Sequence, residues 1–338
     1  MSKKYTILGI ESSCDDTGVS IISTDGNSFK ILFEKTASQI DIHKQYGGVI
    51  PEVAGRLHCE AIAPLLEEAL SSVANIDAIA VTAMPGLITG LHVGVEAAKT
   101  LSYTKDIPLV GVHHIEGHIM SPLLNKGAAI DAVSFPLLAL VVSGGHTQLV
   151  HVHEFGSYSV IGDTRDDAAG ECFDKVGKLM GFIYPGGPKV SKAAIGHEDN
   201  IPLPRPMMHH DSLDFSFSGL KTAARYYLRD NPNADVGDVS ASLEAAIVET
   251  LAYKTKKAAM QIGAKTVFVV GGVSANSALR ESLATSLETQ HIALIAPELA
   301  HCTDNAAMIA CAATRRVMHG SFDSVSELTA SPVGMLPQ

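Results

Sequence analysis

Apolar and polar positions alternate through TILGIE, and a second apolar run, VSII, follows the small polar segment SSCDDTG. That pattern predicts a strand, a turn and a second strand. A third strand is expected near Lys30 to Thr36. From Pro51 the period changes. PEVAGRLHCEAIAPLLEEAL spaces its apolar residues three and four apart, as an amphipathic helix does, with Pro51 in the first turn. IDAIAVT then reads as a strand that ends in the Gly/Pro turn AMPGLITG and feeds the helix HVGVEAAKTLSYT. PLVGV is a further strand and leads into His113.

The pattern restarts at Phe135, where PLLALVV, SGGH and TQLVHV repeat the strand–turn–strand opening. Near the end, TVFVV, GGVSAN and SALRESLATSL repeat the strand–glycine turn–helix unit of residues 76–104. Between these lie the helix AAGECFDKVGKLM, a Gly/Pro segment from Tyr184 to Pro206, the stretch FSFSGLKTAARYYL, and a long helix from Val239 to about Ile262. IALIAP is a short strand, and a last helix starts near Asn305. Strands alternating with helices predict an α/β protein. Two hairpin-led halves predict a duplicated, two-domain fold of the actin-like, sugar-kinase-like (RNase H-like) plan around a central cleft. The alternative is one large doubly wound sheet. The last helix is expected to return to the first half. The first domain then comprises 1–112 plus about 305–335, and the second 113–304, with a mobile or basic insert around 172–230.

With 46% hydrophobic and 18% charged residues, the chain can bury a large core, so disorder is excluded as its main state. The longest apolar run, Phe135 to Val142, is far short of a membrane span, and Glu11 interrupts the only early apolar stretch, so neither a span nor a signal peptide is read. A net charge of −11, 5% aromatics and no Trp argue against a general nucleic-acid surface or a base-stacking sheet. Residues 172–229 run against that trend. They carry Lys175, Lys178, Lys189, Lys192, Arg205, Lys221, Arg225 and Arg229, an excess of three over their acids. Five cysteines without a CxxC pair fit thiols in a reducing cytoplasm.

VHHIEGH carries the sharpest chemistry. At 100° per residue, His114 and His118 fall about 40° apart on one helix face, whereas His113 and His118 are about 140° apart. The first pair suits a metal; a plain helix surface is the alternative. Glu116 does not follow the first histidine directly, so the zinc-peptidase order HExxH is missing. Asp304, just before the last helix, is a candidate third ligand, although Asp there is also a common helix cap. Two histidines and one carboxylate suit iron(II), with zinc possible. A second constellation is the glycine turns VVSGGH, YPGGP and GGVSAN, whose backbone N–H groups could cradle phosphate. No GxxxxGK[ST] is present, so a P-loop is excluded.

GIESSCDDTGVSI, YGGVIPE, VHHIEGH, LVVSGGHTQL, DDAAGECFDKVGKLMG, YPGGP, DFSFSGLKT, GGVSAN and CTDNAAMIA, in this order, resemble the bacterial tRNA N6-adenosine threonylcarbamoyltransferase (TsaD) family, once named O-sialoglycoprotein endopeptidases. The resemblance spans nearly the whole chain. It implies a metal on His114, His118 and Asp304, and an adenylate along Val141, Val142, Ser143, Gly144 and Gly145, with Asp174, Gly187 and Asn276 as further contacts. It implies transfer of a threonylcarbamoyl group from threonylcarbamoyl-AMP to N6 of adenosine 37, in tRNAs reading codons that begin with A, forming t6A and releasing AMP. It implies two helpers, the paralogue TsaB and the ATPase TsaE. Asp15 is a candidate for accepting the amine proton, with Asp16 beside it left open. Two readings from other classes stand against this one: an ATP-dependent kinase of the actin-like superfamily, and a metallopeptidase, which the position of Glu116 disfavours.

Overall fold

The structure is a computed structural model and describes residues 3–338. The chain opens with β1 (Tyr5–Glu11), β2 (Asp16–Thr24), β3 (Phe29–Ser38), α1 (Ile40–His43) and α2 (Pro51–Ser72). It continues through β4 (Ala78–Met84), α3 (Ile88–Lys105), β5 (Leu109–His113) and α4 (His114–Met120). The second run is β6 (Leu137–Val142), β7 (Thr147–Glu154), β8 (Ser157–Asp163), α5 (Ala169–Leu179), α6 (Gly187–Ala194), α7 (Ser218–Asp230) and α8 (Val236–Ile262). β9 (Thr266–Val270), α9 (Ser277–Glu288), β10 (Ala293–Ile295) and α10 (Ala306–Met318) complete it.

Two five-stranded sheets form, in the orders β3-β2-β1-β4-β5 and β8-β7-β6-β9-β10. Each opens on an antiparallel hairpin, β1 with β2 and β6 with β7. Each then adds a parallel strand beside its first strand, β4 on β1 and β9 on β6. The two sheets therefore share one connectivity, as expected of a duplicated α/β fold. Contacts divide the chain into two compact units. One takes residues 3–133, Phe155–Ser157 and Pro297–Gln338, and the other Ser134–Glu154 and Tyr158–Ala296. The sequence put the first break at 112/113. In the structure α4 packs against α10, so the histidine helix belongs with the first unit.

In the first unit, strand alternation sends Leu8 and Ile10 to one face of β1, where they pack with Leu65, Leu66, Val81 and Val95. The other face lies against α10 at very short range. A Cβ placed on Gly9 would sit 2.1 Å from the Ala306 carbonyl oxygen. α3 begins at Ile88, four residues before the helix read from sequence, because the turn ahead of it is pressed onto the β1–β2 connection. A Cβ on Gly86 would meet the Ser13 oxygen at 2.6 Å, and Ser12 donates its hydroxyl to the Gly90 carbonyl at 2.9 Å.

In the second unit, Leu138, Leu140 and Val142 of β6 share a core with Val267 and Val269 of β9 and Leu243 and Ile247 of α8. Segment 172–230 contributes Phe173, Val190, Phe215, Phe217 and Leu220 to that core. Two elements of this unit differ from the sequence reading. No helix is read within the Gly/Pro segment Tyr184 to Pro206, yet α6 forms inside it, with Pro188 in its first turn. α8 starts at Val236, because Asp235 caps it by accepting the N–H groups of Gly237 and Asp238. β8, the third strand of the second sheet, was not read from sequence at all. Among the described residues no helix is long and apolar enough to cross a membrane.

Candidate metal centre and glycine turns

β5 ends at His113, and the chain turns directly into α4, whose first residue is His114. His113 spends its own Nδ1 as the helix cap, accepting the Ile115 N–H at 3.2 Å. His114 and His118 lie one turn apart with ring centroids 4.6 Å apart. Asp304 reaches both from the residues ahead of α10, with Oδ1 3.1 Å from His118 Nε2 and 3.5 Å from His114 Nε2. One ligand atom from each of the three lies within 4.8 Å of the others. Asp304 is not the helix cap. Asn305 is, accepting the Met308 N–H at 2.9 Å, so the capping alternative read from sequence falls on the neighbouring residue.

The donor set fits a metal on two observations. His118 is wholly buried, and neither of its ring nitrogens has a hydrogen-bond partner; the 3.1 Å approach of Asp304 is out of line for one. Buried polar atoms are seldom left so, because the lost hydration costs about 1–3 kcal/mol each. His114 is held from behind. Its Nδ1 lies 3.1 Å from Glu11 Oε2 and 3.1 Å from Ser13 Oγ. A proton on Nδ1 donated to Glu11 leaves the Nε2 lone pair on the side of Asp304, the arrangement of a metal-binding histidine. Glu11 is itself fixed by the Ser13 N–H at 2.5 Å and the Thr82 hydroxyl at 2.7 Å. Burial alone would lower the His114 pKa, but the Asp304 and Glu11 carboxylates outweigh it and hold the imidazole up to about 9. A metal must displace that proton, so binding weakens as pH falls.

Glu11 was not singled out as a site residue in the sequence, where it stands as a break in an apolar run and inside GIESSCDDTGVSI. Its signal was available: an acid closing an otherwise apolar strand must find a buried partner. Glu11→Gln keeps the shape and weakens the hold on the Nδ1 proton. Metal affinity, read by chelator competition, is expected to fall about 10- to 100-fold. An unchanged affinity would remove Glu11 from the site.

Asp15 ends the β1–β2 connection and Asp16 opens β2. Burial raises both carboxyls, with Asp304 adding to the effect. For Asp15 the Cys14 thiol and His43 oppose the rise, while Asp16 is pushed up to about 6 and leaves Oδ1 buried without a partner. The acid left open in the sequence is therefore the one with the larger shift.

The second unit gathers the three glycine turns. Val141 and Val142 close β6, and Ser143 to His146 form the hairpin turn, with the Ser143 N–H donating to the His146 carbonyl at 2.9 Å. A Cβ on Gly170, at the start of α5, would meet the Ser143 oxygen at 2.5 Å. One on Gly271, whose φ is +90°, would meet the Val142 oxygen at 2.5 Å. These glycines let the turns after the parallel strands β6 and β9 close together, at the strand ends where α/β sheets bind ligands. Gly144 and Gly145 are different. Both are exposed, neither has a left-handed φ, and a Cβ on either would meet nothing within 4 Å. The fold places no steric demand for glycine there.

Asp174 and Asn276 are engaged within the protein. Asp174 Oδ1 accepts the N–H groups of Gly186 and Gly187 at 2.7 and 3.1 Å, which ties the PGG turn to α5. Asn276 caps α9 by accepting the Leu279 N–H at 2.7 Å. Its Nδ2 donates to Ser191 Oγ at 2.9 Å and to Glu244 Oε1 at 2.6 Å. Glu244 is a second residue the sequence reading missed; it sits inside a long helix with no local motif to mark it. The basic excess of residues 172–229 is smaller in space than in sequence. Lys175 lies 2.9 Å from Asp167 and 2.6 Å from Glu171, Lys221 lies 2.5 Å from Asp167, and Arg205 pairs with Asp199 and, at 2.8 Å, with Glu249. Asp167, Glu171 and Glu249 all lie outside the segment counted.

A family model described as TsaD, tRNA N6-adenosine threonylcarbamoyltransferase, matches residues 30–311. Proteins named tRNA N6-adenosine threonylcarbamoyltransferase are similar over most of the chain. That of Bacillus subtilis is 47% identical over 334 residues, covering 95% of this chain and 94% of its own. That of Geotalea daltonii is 50% identical over 313 residues, covering 90% and 89%. Among solved structures, HypF of T. kodakarensis superposes with a TM-score of 0.63 at 12% identity, over 97% of this chain and 49% of its own. The activator of 2-hydroxyisocaproyl-CoA dehydratase from Clostridium difficile, solved with bound ADPNP, gives 0.54 at 13%, over 93% and 96%. At such identities these two show the fold alone, the actin-like and sugar-kinase-like α/β plan.

Proposed function

The chain belongs to the tRNA N6-adenosine threonylcarbamoyltransferase family, and from that premise we propose how its residues divide the work. It is a transferase, and its product is t6A in tRNA. The donor in this reading is threonylcarbamoyl-AMP and the acceptor is adenosine 37 of tRNAs reading codons that begin with A. The adenine amine attacks the carbamoyl carbon and the bond to the phosphate oxygen breaks. AMP departs, and a base takes the amine proton. The mixed anhydride is reactive and the amine is a poor nucleophile, so rate comes from positioning and from charge placed against developing negative oxygen.

In this division His114, His118 and Asp304 hold the metal, iron(II) with zinc as the alternative. Bound there, it supplies a Lewis-acid charge for donor oxygens. Glu11 and Ser13 keep the His114 ring turned with its Nε2 available. Val141 to Gly145, Asp174, Gly187 and Asn276 hold the adenylate. Gly144 and Gly145 supply bare backbone N–H groups for a phosphate, and the α6 start adds its dipole. Asp15, made more basic by burial, takes the amine proton. The reaction runs in the cytoplasm, with the TsaB paralogue and TsaE ATPase assisting a chain whose net charge of −11 suits RNA poorly.

The observation that carries this reading over a kinase is the His114–His118–Asp304 set. A kinase of this fold needs magnesium on phosphates and a carboxylate or two, and has no use for paired imidazoles. The test incubates the metal-loaded protein and both helpers with threonylcarbamoyl-AMP and unmodified tRNA, followed by nucleoside mass spectrometry. Threonylcarbamoyl-adenosine and matching AMP are expected; their absence rejects the reading. In the same assay Asp15→Asn is expected to lower kcat by about 10²- to 10⁴-fold, and a loss under tenfold would reject Asp15 as the base.

A further inference from the structure

His58 is the one polar side chain on the buried face of α2, among Ala54, Ile62, Leu65 and Leu66. It is wholly buried. Its Nε2 lies 3.1 Å from the Cys14 carbonyl oxygen, and its Nδ1 lies 2.8 Å from the Thr17 hydroxyl. A carbonyl oxygen only accepts, so Nε2 carries the ring proton and donates it to Cys14. Nδ1 is then a bare lone pair, and Thr17 donates to it. Both nitrogens are used in the neutral ring, and burial, which holds the imidazole below its usual range, favours that form. A buried polar group satisfied in this way fixes its neighbours in one arrangement.

What it fixes is the connection from Ser12 to Asp15, between β1 and β2. Each of these residues is tied to another element. The Ser12 hydroxyl donates to the Gly90 carbonyl of α3 at 2.9 Å, the Ser13 carbonyl accepts the Leu87 N–H at 2.7 Å, and the Asp15 carbonyl accepts the Gln39 N–H at 3.1 Å. His58 supplies the tie at Cys14. Of the four, it is the one made by a side chain from another element, so a substitution at 58 removes it without altering the connection itself. Ser13 and Asp15 flank Cys14. The first places its Oγ 3.1 Å from His114 Nδ1, and the second is read as the acceptor of the amine proton. Slack at the carbonyl between them would move both.

We infer that His58 is a positioning residue for the transfer, holding the Cys14 carbonyl so that Ser13 stays behind His114 and Asp15 stays at the reacting amine. The inference rests on the reading of His114 as a metal ligand and of Asp15 as the base. It adds α2 to the elements that build the site.

The test compares His58→Leu, which fills similar space without a donor, with His58→Gln, whose amide nitrogen can donate to the Cys14 carbonyl. Far-ultraviolet circular dichroism identifies a variant that has not folded. Hydrogen exchange read by mass spectrometry is expected to show the amides of residues 12–16 opening about tenfold faster or more in His58→Leu, and near the parent rate in His58→Gln. In the transfer assay with both helpers, His58→Leu is expected to lower kcat by about 10²-fold while KM for threonylcarbamoyl-AMP stays within about twofold, and His58→Gln to recover most of the loss. Unchanged exchange or a full kcat in folded His58→Leu overturns this inference alone. So does a folded His58→Gln as slow as His58→Leu, which would assign the ring to packing. No threonylcarbamoyl-adenosine from the unaltered protein would instead overturn the proposed reaction, and this inference with it.

Discussion

His118→Leu is expected to abolish stoichiometric metal binding without costing the metal-free protein stability. The two halves of that result come from one side chain. His118 is wholly buried, its Nδ1 has no hydrogen-bond partner and its Nε2 meets only the poorly aligned Asp304 carboxylate at 3.1 Å, so without an ion it is a liability, and leucine removes these ill-satisfied atoms while filling similar space. With an ion, Nε2 lies where it can complete a set with His114 and Asp304. Losing a ligand should weaken binding by more than the roughly 10- to 100-fold expected for the group behind a ligand. Elemental analysis gives the metal content. Thermal unfolding with and without chelator gives the other half: chelation should lower the midpoint of the unaltered protein and leave His118→Leu unmoved. Equal metal in both proteins would reject the site. A metal-free variant much less stable than the metal-free parent would show that His118 serves packing.

Gly9→Val is expected to unseat α10 and take the metal with it. A Cβ on Gly9 would stand 2.1 Å from the Ala306 carbonyl oxygen and 3.1 Å from the Ala310 Cβ. Neither is the loose end of a flexible side chain, so the helix must move. Asn305 caps that helix and Asp304 directly precedes it, so its displacement draws the carboxylate away from the two histidines. A loss of about 3 kcal/mol or more is expected, at the upper end for overpacking, because backbone rather than side chain must yield. Denaturant unfolding and elemental analysis read the two effects. Gly219→Ala is the control, since its Cβ would meet only Pro206 Cγ at an ordinary 3.6 Å. Full stability and full metal in Gly9→Val would mean that α10 adapts and does not aim Asp304.

The candidate site was legible where the chemistry was local. His114 and His118 follow from a spacing of four on one helix, and the glycine turns follow from composition at strand ends. Glu11 and Glu244 were not legible as site residues. Each lies far along the chain from its partner, and no spacing marks either for its task; only the folding that brings α4 and β4 to the end of β1, and α8 beside α6 and α9, supplies the partners. Helix starts were misplaced for the same reason. α3 begins early because Gly86 and Gly90 fit against Ser12 and Ser13, a contact that no window of neighbouring residues contains.

By itself the sequence determined the α/β class, the repeat of one strand pattern in two halves, the pair of imidazoles and the likeness to a transferase family. These depend on periodicity and short spacing, which the backbone's own geometry imposes. The tertiary structure alone decided that the histidine helix joins the first unit. It also decided that Asn305 rather than Asp304 is the cap, that Glu11 stands behind His114, and that Asn276 caps α9. Each of these depends on which distant atoms come within about 3 Å, and that distance is fixed by packed helices and sheets rather than by order along the chain.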